Sequence, residues 1–345
     1  MKKATRFLGL LFFAIIFNLH AQDDNKLADS IGLPDFTIAF GSCNKHNVDN
    51  LLWDDVLNTN PDVWVWGGDI IYADTDKMPK LRRLYALQDS VPGYLALRTK
   101  IPVIGTWDDH DYGLNDGGEE FKAKKESQQE FLDFLKVPKD SPRRSQEGVY
   151  ASHVYNTAKG SIKVIVLDTR YFRTALTEDT ETRKRNKPNP YGDGTVLGAA
   201  QWQWLSDELT NSTADFNVIV SSIQVLSNEH GFETWGNFPH EVDKLKKTIV
   251  SSKAKGVVVV SGDRHISEFS RTEVDGLAYP LIDFTSSGLT HTYTSYSGEP
   301  NPYRVGEVVF VISFGVLEFN FDKKQIDFKM IGDNGKLLGE LKQGY

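Results

Sequence analysis

The chain has 345 residues, of which 40% are hydrophobic and 25% are charged, and its formal net charge is −8 at pH 7. This composition excludes a disordered or fibrous chain, and the acidic balance lacks the basic footprint of a nucleic-acid-binding protein. A globular chain of this length buries most of its unfolded surface, so a large core is expected without disulfides.

The N-terminus has the features of a secretory signal peptide. Three basic residues among the first six precede an apolar run at Phe7–Leu19, and the small residue Ala21 stands before a polar stretch. The run is too short to cross a bilayer as a helix, which needs about 20 apolar residues. We therefore predict a signal peptide at residues 1–21, and the length of the remaining chain suits one large domain or two smaller ones. The protein would be exported, periplasmic or secreted, and not membrane-spanning.

After this segment, short apolar runs alternate with helix-like stretches, which is the pattern of an α/β protein. Strands are predicted at Phe36–Phe40, Val63–Trp66, Ile101–Gly105, Val149–Tyr155, Ile162–Leu167, Phe216–Val220 and Val257–Val260. A second β-rich group is predicted at Leu281–Phe284, Val308–Ile312, Val316–Phe321 and Ile326–Met330. Helical spacing of apolar residues is found at Leu52–Val56, Ala199–Leu209 and Val242–Ile249.

Two long stretches, Thr174–Val196 and Ser286–Arg304, show no periodicity of either kind. The first contains several basic residues and prolines, and the second is rich in Ser, Thr, Gly and Tyr. Loops of this length in a compact domain are typical of lids or binding loops, although a disordered surface excursion is the other interpretation.

Polar side chains follow the predicted strands at their carboxyl ends. In chain order these residues are Cys43, Asp69, Tyr72, Asp108, Asp109, His110, Asp111, Asp168, Arg170, Asp263 and His265. Because ligands of α/β sheets bind outside the carboxyl ends of the strands, we expect these side chains at one edge of the sheets.

The charges of these side chains indicate which ligand binds at this edge. Four carboxylates, those of Asp69, Asp108, Asp109 and Asp263, would lie close together with few cations between them. Like charges in a partly buried cleft repel each other, so either several are protonated or metal cations occupy the centre. Carboxylates suit Ca²⁺, Mg²⁺, Mn²⁺ or Fe, and the thiolate of Cys43 with the phenolate of Tyr72 would suit Fe³⁺. The metal interpretation also gives the lone cysteine a reason to remain unpaired.

The order of these motifs resembles the PhoD-like alkaline phosphatase/phosphodiesterase family of calcineurin-like metallophosphatases. The motifs are Phe40-Gly41-Ser42-Cys43, Gly68-Asp69-Ile70-Ile71-Tyr72, Trp107-Asp108-Asp109-His110-Asp111, Leu167-Asp168-Thr169-Arg170 and Gly262-Asp263-Arg264-His265. The resemblance covers about residues 36–330 and implies one domain over residues 22–345. It implies a four-layer αββα sandwich of two mixed β-sheets flanked by helices.

The resemblance also implies roles for individual residues. The metal ligands would be Cys43, Asp69, Tyr72, Asp109, Asp263 and His265, with Asp69 bridging Fe³⁺ and a second metal, Ca²⁺ or another divalent ion. His110 would protonate the leaving oxygen or contact the phosphate, and Arg170 would grip a phosphoryl oxygen. The implied function is that of an exported phosphoester hydrolase that uses a metal-activated hydroxide.

The substrate would be a small-molecule or lipid-headgroup phosphoester, and an open, acidic site favours diesters over monoesters. Two other functions use the same acidic residues. A non-catalytic secreted calcium-binding module would need neither His110 nor Arg170. A glycosidase would use paired carboxylates but would not need Tyr72, Cys43 and His265 at the same edge.

Overall fold

The computed structural model describes residues 33–345, so the predicted signal peptide at residues 1–21 lies outside the described residues. The strands are β1 (Phe36–Gly41), β2 (Val63–Gly67), β3 (Val103–Thr106), β4 (Ala151–Asn156), β5 (Ser161–Val166), β6 (Thr177–Glu178), β7 (Asn186–Lys187), β8 (Phe216–Val220), β9 (Val257–Ser261), β10 (Ser267–Thr272), β11 (Leu281–Ser286), β12 (Arg304–Val309), β13 (Ser313–Asn320), β14 (Gln325–Gly332) and β15 (Leu337–Gly344). The helices are α1 (Trp53–Asn58), α2 (Met78–Asp89), α3 (Pro92–Lys100), α4 (Asp109–Tyr112), α5 (Lys124–Phe134), α6 (Gly198–Thr210) and α7 (Pro239–Ser252). None of the helices within residues 33–345 has both the length and the apolar character needed to cross a bilayer.

The first large sheet has the strand order β15-β14-β13-β1-β2-β3. The strands β1, β2 and β3 are parallel, with Ile38 opposite Val63 and Trp64 opposite Val103. The strands β13, β14 and β15 pair antiparallel with one another in that order. The strand β13 also pairs antiparallel with β1, which joins the antiparallel strands to the parallel ones. The sheet is therefore mixed, and the carboxyl ends of β1, β2 and β3 meet at one edge.

The second large sheet has the strand order β12-β10-β11-β9-β8-β5-β4. Its central strands β5, β8, β9 and β11 are parallel, and β4, β10 and β12 pair antiparallel at the two sides. This sheet is also mixed. Its parallel strands deliver the segments after Val166, Val220 and Ser261 to a common edge.

The two sheets pack face to face, and the alternation of side chains along each strand decides which layer each residue contacts. In β1, Ile38 and Phe40 join the core between the sheets together with Phe284 of the second sheet. In β2, Trp64 and Trp66 point to the other face, against α1, α2, α3 and α5. The helices α6 and α7 cover the outer face of the second sheet. Since successive strand residues face opposite sides, this pattern produces four layers, and the predicted αββα sandwich is confirmed.

Some elements differ from their predicted positions. The predicted strand Val308–Ile312 is wrong in its bounds, because β12 ends at Val309. The strand β10 was not predicted because Ser267, Glu268 and Ser270 leave it without the apolar run from which the other strands were predicted. Glu268 is nevertheless buried, because Arg304 donates to its Oε2 at 2.7 Å.

Candidate metal centre

Tight turns at the ends of β1, β2 and β9 carry four of the predicted ligands. Cys43, Asp69, Asp263 and His265 have positive φ values of 59°, 52°, 72° and 56°. Non-glycine residues seldom adopt this left-handed conformation, which costs about 1–3 kcal/mol each and persists only where the surroundings hold it. Four such residues at one edge are therefore typical of a functional site.

The buried carboxylate of Asp111 holds two of these strand ends together. Its Oδ1 accepts hydrogen bonds from the backbone N–H of Asp108 at 2.6 Å and of Asp69 at 3.2 Å. Its Oδ2 accepts from the backbone N–H of Ile70 at 3.2 Å. Asp111 thus joins the end of β3 to the end of β2. The sequence pattern gave Asp111 no role, although an acid three residues after a helix N-cap has the spacing of a capping box.

A thiol, a phenol and an imidazole meet at the carboxylate of Asp69. The hydroxyl of Tyr72 donates to Asp69 Oδ2 at 3.0 Å, and the Sγ of Cys43 donates to the same oxygen at 3.4 Å. The Nε2 of His265 lies 3.2 Å from the Tyr72 hydroxyl. Ligand atoms of Cys43, Asp69 and His265 all lie within 4.8 Å of one another. The structure therefore brings four of the six predicted ligands together.

The remaining predicted ligands lie next to this group. Ligand atoms of Asp69, Asp109 and His110 lie within 4.8 Å of one another, as do those of Asp108, Asp109 and Asp263. Asp109 is oriented by two backbone donors, the N–H of His110 on Oδ1 and the N–H of Asp116 on Oδ2, both at 2.7 Å. Asp69 and Asp109 link the groups, so all six predicted ligands belong to one connected cluster.

The electrostatics of the cluster fit bound cations. Burial raises the pKa of Asp69 well above its ordinary value, and the neighbouring carboxylates of Asp109 and Asp108 raise it further. Burial and neighbouring carboxylates also raise the pKa of Asp263, and burial followed by the charge of Asp69 raises the pKa of the Cys43 thiol. Within the described residues, Asp69 Oδ1 is buried without a hydrogen-bond partner. Bound cations would relieve this repulsion, and the carboxylate, imidazole and thiol donors suit a transition metal beside a hard divalent ion.

His110 lies beside the cluster with its ring held on two sides. Its Nδ1 is 2.8 Å from Asp74 Oδ1, and its ring centre is 4.1 Å from that of Tyr72. Burial lowers the pKa of His110, but the hydrogen bond with Asp74 and the charge of Asp109 outweigh burial, so the pKa is raised. The structure thus places His110 where the sequence interpretation expected it, at the metal ligands.

The structure departs from the expectation for Arg170. Its side chain is fully buried, and it does not line the cavity beside the cluster. Its Nε donates to Asp108 Oδ1 at 2.6 Å, and its Nη1 donates to Glu233 Oε2 at 2.5 Å. These contacts correct the expected grip on a phosphoryl oxygen: Arg170 positions Asp108, because the guanidinium is already occupied by two carboxylates.

The loop after β11 supplies site residues that sequence reasoning missed. Ser287 Oγ lies 3.0 Å from the Sγ of Cys43 and accepts a hydrogen bond from the backbone N–H of His265 at 2.8 Å. The ring of His291 lies 4.4 Å from that of His265 and 5.1 Å from that of Tyr72. No local spacing marks either residue, and the only signal was their position in a long loop after a strand.

The cluster adjoins a cavity of about 330 Å³. Asp109, His110, Asp263 and His265 contribute one part of its lining. The rest of the lining includes Asn115, Asp116, Arg185, Phe232, Arg264 and Tyr293. This volume falls at the lower end of the range of small-molecule sites, roughly 300–1,000 Å³.

Comparison of the sequence identifies relatives. A model of the PhoD-like phosphatase family matches residues 38–299. The chain is also 27% identical over 229 residues to alkaline phosphatase D of Bacillus subtilis (strain 168). That match spans 59% of this chain and 38% of the relative, so the chain corresponds to well under half of the relative's length.

Solved structures share the same architecture. The chain matches a structure of PhoD with a TM-score of 0.70 and 19% identity, over 90% of this chain and 69% of that one. It matches a dimetal phosphatase from Danio rerio with a TM-score of 0.54 and 15% identity, over 90% and 99% of the two chains. At these identities the two likenesses establish the fold. Because the family model covers most of the sequence, the chain belongs to the PhoD-like phosphatase family.

Proposed function

We propose that the protein is a metal-dependent phosphoester hydrolase. The observation that carries the proposal is the cluster around Asp69, in which a thiol, a phenol, an imidazole and further carboxylates meet. Its members Asp109, Asp263 and His265 share a cavity wall with His110. Membership of the PhoD-like phosphatase family supports the same reaction class.

Two sets of residues would hold the metals. Cys43, Asp69, Tyr72 and His265 offer the softer donors and would hold Fe³⁺. Asp69, Asp109 and Asp263 offer carboxylates for Ca²⁺ or another divalent ion. When bound, these ions supply Lewis acidity toward phosphoryl oxygens and lower the pKa of bound water.

His110 is the proposed general acid. Its Nδ1 donates to Asp74, which fixes the ring and leaves Nε2 as the nitrogen that can exchange a proton with the leaving oxygen. The Tyr72 ring packed at 4.1 Å restricts rotation of the imidazole. Arg170 would act as a positioning residue. It pairs with Asp108 after the end of β3 and so holds the turn at Asp109 in place.

The proposed substrate is a small-molecule or lipid-headgroup phosphoester, with a preference for diesters. The cavity is lined by four acids, Asp109, Asp116, Glu233 and Asp263, and by two arginines, Arg185 and Arg264. A monoester places more negative charge on the reacting phosphoryl group than a diester does, so the acids Asp109 and Asp263 beside that group favour the diester.

A paired assay tests the proposed function. We expect the purified protein to hydrolyse bis-p-nitrophenyl phosphate with a higher kcat/KM than p-nitrophenyl phosphate, and to contain bound metal measured on the same sample. Chelation should abolish both activities, and returning metal should restore them. Bound metal without hydrolysis of either ester would contradict the proposal and favour a calcium-binding module instead.

Export is a further part of the proposal. It is supported by the basic, apolar and small-residue pattern of residues 1–21, which lie outside the described residues. N-terminal sequencing of the protein from the producing cells tests it. A mature chain beginning near Gln22 is expected, and an intact N-terminus would contradict the prediction.

A further inference from the structure

Two arginines line the cavity without belonging to the metal cluster. Arg264 directly follows the proposed ligand Asp263, and Arg185 lies in the long Thr174–Val196 loop. Among the described residues they are the only lysine or arginine side chains in the cavity wall. The proposed function assigns neither arginine a role.

Arg264 is fixed by a carboxylate and a ring. Its Nη2 lies 2.9 Å from each carboxylate oxygen of Glu299, and its guanidinium carbon lies 4.1 Å from the ring centre of Phe232. The side chain is 8% exposed, and its Nε is buried without a hydrogen-bond partner in the described part of the chain. Because this nitrogen is not accessible from the cavity, Arg264 contributes chiefly its positive charge to the cavity wall.

Arg185 is held on the opposite loop by its backbone and by one guanidinium nitrogen. Its carbonyl accepts from the backbone N–H of Asp179 at 3.0 Å, which closes the β6–β7 hairpin. Its Nη2 lies 2.8 Å from Asp116 Oδ2. The side chain is 53% exposed, so the rest of the guanidinium faces the cavity and solvent.

Both guanidinium groups are anchored through Nη2. The Nε–H and Nη1–H groups that remain point to different sides of each guanidinium, so each arginine offers an anion its positive charge and single hydrogen bonds. The anchoring acids, Asp116 and Glu299, are not among the proposed metal ligands. A phosphoryl group at Asp109 and Asp263 fills only part of a cavity of about 330 Å³, so a substituent of the substrate reaches the arginines.

We infer that Arg185 and Arg264 form an anion subsite that selects phosphoesters whose organic arm carries a second anionic group, a carboxylate or another phosphate. This inference rests on the proposed phosphoester hydrolysis and names its substrate class. The ring of Phe232 holds the Arg264 guanidinium in place, and the hairpin fixes the backbone at Arg185.

Two esters that differ only in the charge of the retained arm test the subsite. The probes are ethyl p-nitrophenyl phosphate and 2-carboxyethyl p-nitrophenyl phosphate, which share the reacting group and the leaving group. We expect the wild-type kcat/KM to be higher for the carboxyethyl ester. Arg185→Gln should lower this preference roughly tenfold to a hundredfold, the effect of losing a charge-assisted hydrogen bond. Arg264→Gln should act in the same direction.

The chain offers a matched control in the same loop. Arg183 is exposed and does not line the cavity, so Arg183→Gln should leave both kcat/KM values unchanged. The thermal midpoint of each variant verifies folding, and Arg185 is the decisive site because it is half exposed. Equal wild-type kcat/KM values for the two esters, or an unchanged preference in Arg185→Gln, would overturn the subsite and leave the hydrolase proposal standing. Hydrolysis of neither ester would overturn the hydrolase proposal itself.

Discussion

Asp69 combines several energetic costs in one residue. Its backbone has a φ of 52°, its side chain is buried, and its Oδ1 has no hydrogen-bond partner among the described residues. Burial and the charges of Asp109 and Asp108 raise its pKa. None of these features stabilises the metal-free fold, but each is expected of a carboxylate that bridges cations, because the ions repay the desolvation and the repulsion.

Replacing His110 by alanine tests the general acid. We expect kcat to fall roughly 10²–10⁴-fold with metal content retained, since the ring supplies a proton and is not a proposed ligand. Steady-state kinetics with bis-p-nitrophenyl phosphate and metal analysis of the same sample measure the two effects.

Asp74→Asn is the matched partner variant, because it keeps the His110 ring but weakens the contact at Nδ1. Its loss of kcat should be smaller than that of His110→Ala. An unchanged kcat in His110→Ala would contradict the acid role, and loss of metal would mean that His110 is a ligand.

Individual ligands could be predicted from the sequence because strand ends mark them. Cys43, Asp69 and Asp263 each follow an apolar run within a few residues, so the topology places them at one edge. Arg170 also follows an apolar strand, but its side chain is fully buried and does not line the cavity. Its burial depends on Glu233, 63 residues further along the chain, and no local pattern reveals that partner.

At the scale of elements, short apolar runs predicted the central strands well. It failed for β15, a polar and largely exposed strand at the side of the first sheet. The helix α2 was missed although its signal is present: Leu81, Leu84, Tyr85 and Gln88 are buried at helical spacing. Charged residues between them obscured the apolar face, as is common in helices that cover a sheet.

The loops follow a different rule, because their positions depend on distant partners. The Ser286–Arg304 stretch contributes Ser287 and His291 to the metal centre, and Glu299 to the pair with Arg264. The composition of this stretch predicted a loop, but it did not predict which residues the loop contacts. The specific hydrogen bonds arise only after both sheets are assembled, which is why sequence reasoning did not reach them.

At the scale of the molecule, the site lies where the two sheets meet. Cys43, Asp69 and Asp109 follow strands of the first sheet, whereas Asp263 and His265 follow β9 of the second. Cys43 and Asp263 are 220 residues apart in the sequence, yet the thiol lies 3.5 Å from the Asp263 carbonyl oxygen. The relative position of the sheets depends on the shared core, so the cluster could be predicted as a set but not in its distances.

The crowd of buried acids predicts how stability depends on pH. Burial raises the pKa of Asp111 to about 8 and that of Asp108, against the opposing effect of Arg170, to about 7. In the unfolded chain both pKa values are about 4. Between about pH 4 and the raised pKa values, the native state therefore binds more protons than the unfolded state. The free energy of unfolding of chelated protein should therefore fall as pH rises from about 4 to about 8.

Added metal should counter this loss, because cations bind the deprotonated carboxylates of the proposed ligands Asp69, Asp109 and Asp263 and so reduce the repulsion within the cluster. At a hundredfold excess over Kd, one bound ion adds about 2.7 kcal/mol to the free energy of unfolding. Urea unfolding at pH 5 and pH 8, with and without metal, measures both effects. Equal stability of the chelated protein at both pH values would contradict the raised pKa values of these buried carboxyl groups.

The most direct measurement is the metal content of the wild type and of Asp69→Asn, determined by mass spectrometry after purification in metal-replete medium. We predict iron together with a divalent ion in the wild type and loss of both in the variant. Asp283→Asn is the matched control, since Asp283 is equally buried but bonds to Ser261 and two backbone N–H groups outside the cluster. It should keep its metals. A wild type without metal, or Asp69→Asn with the full complement, would contradict the assignment of this edge as a metal centre.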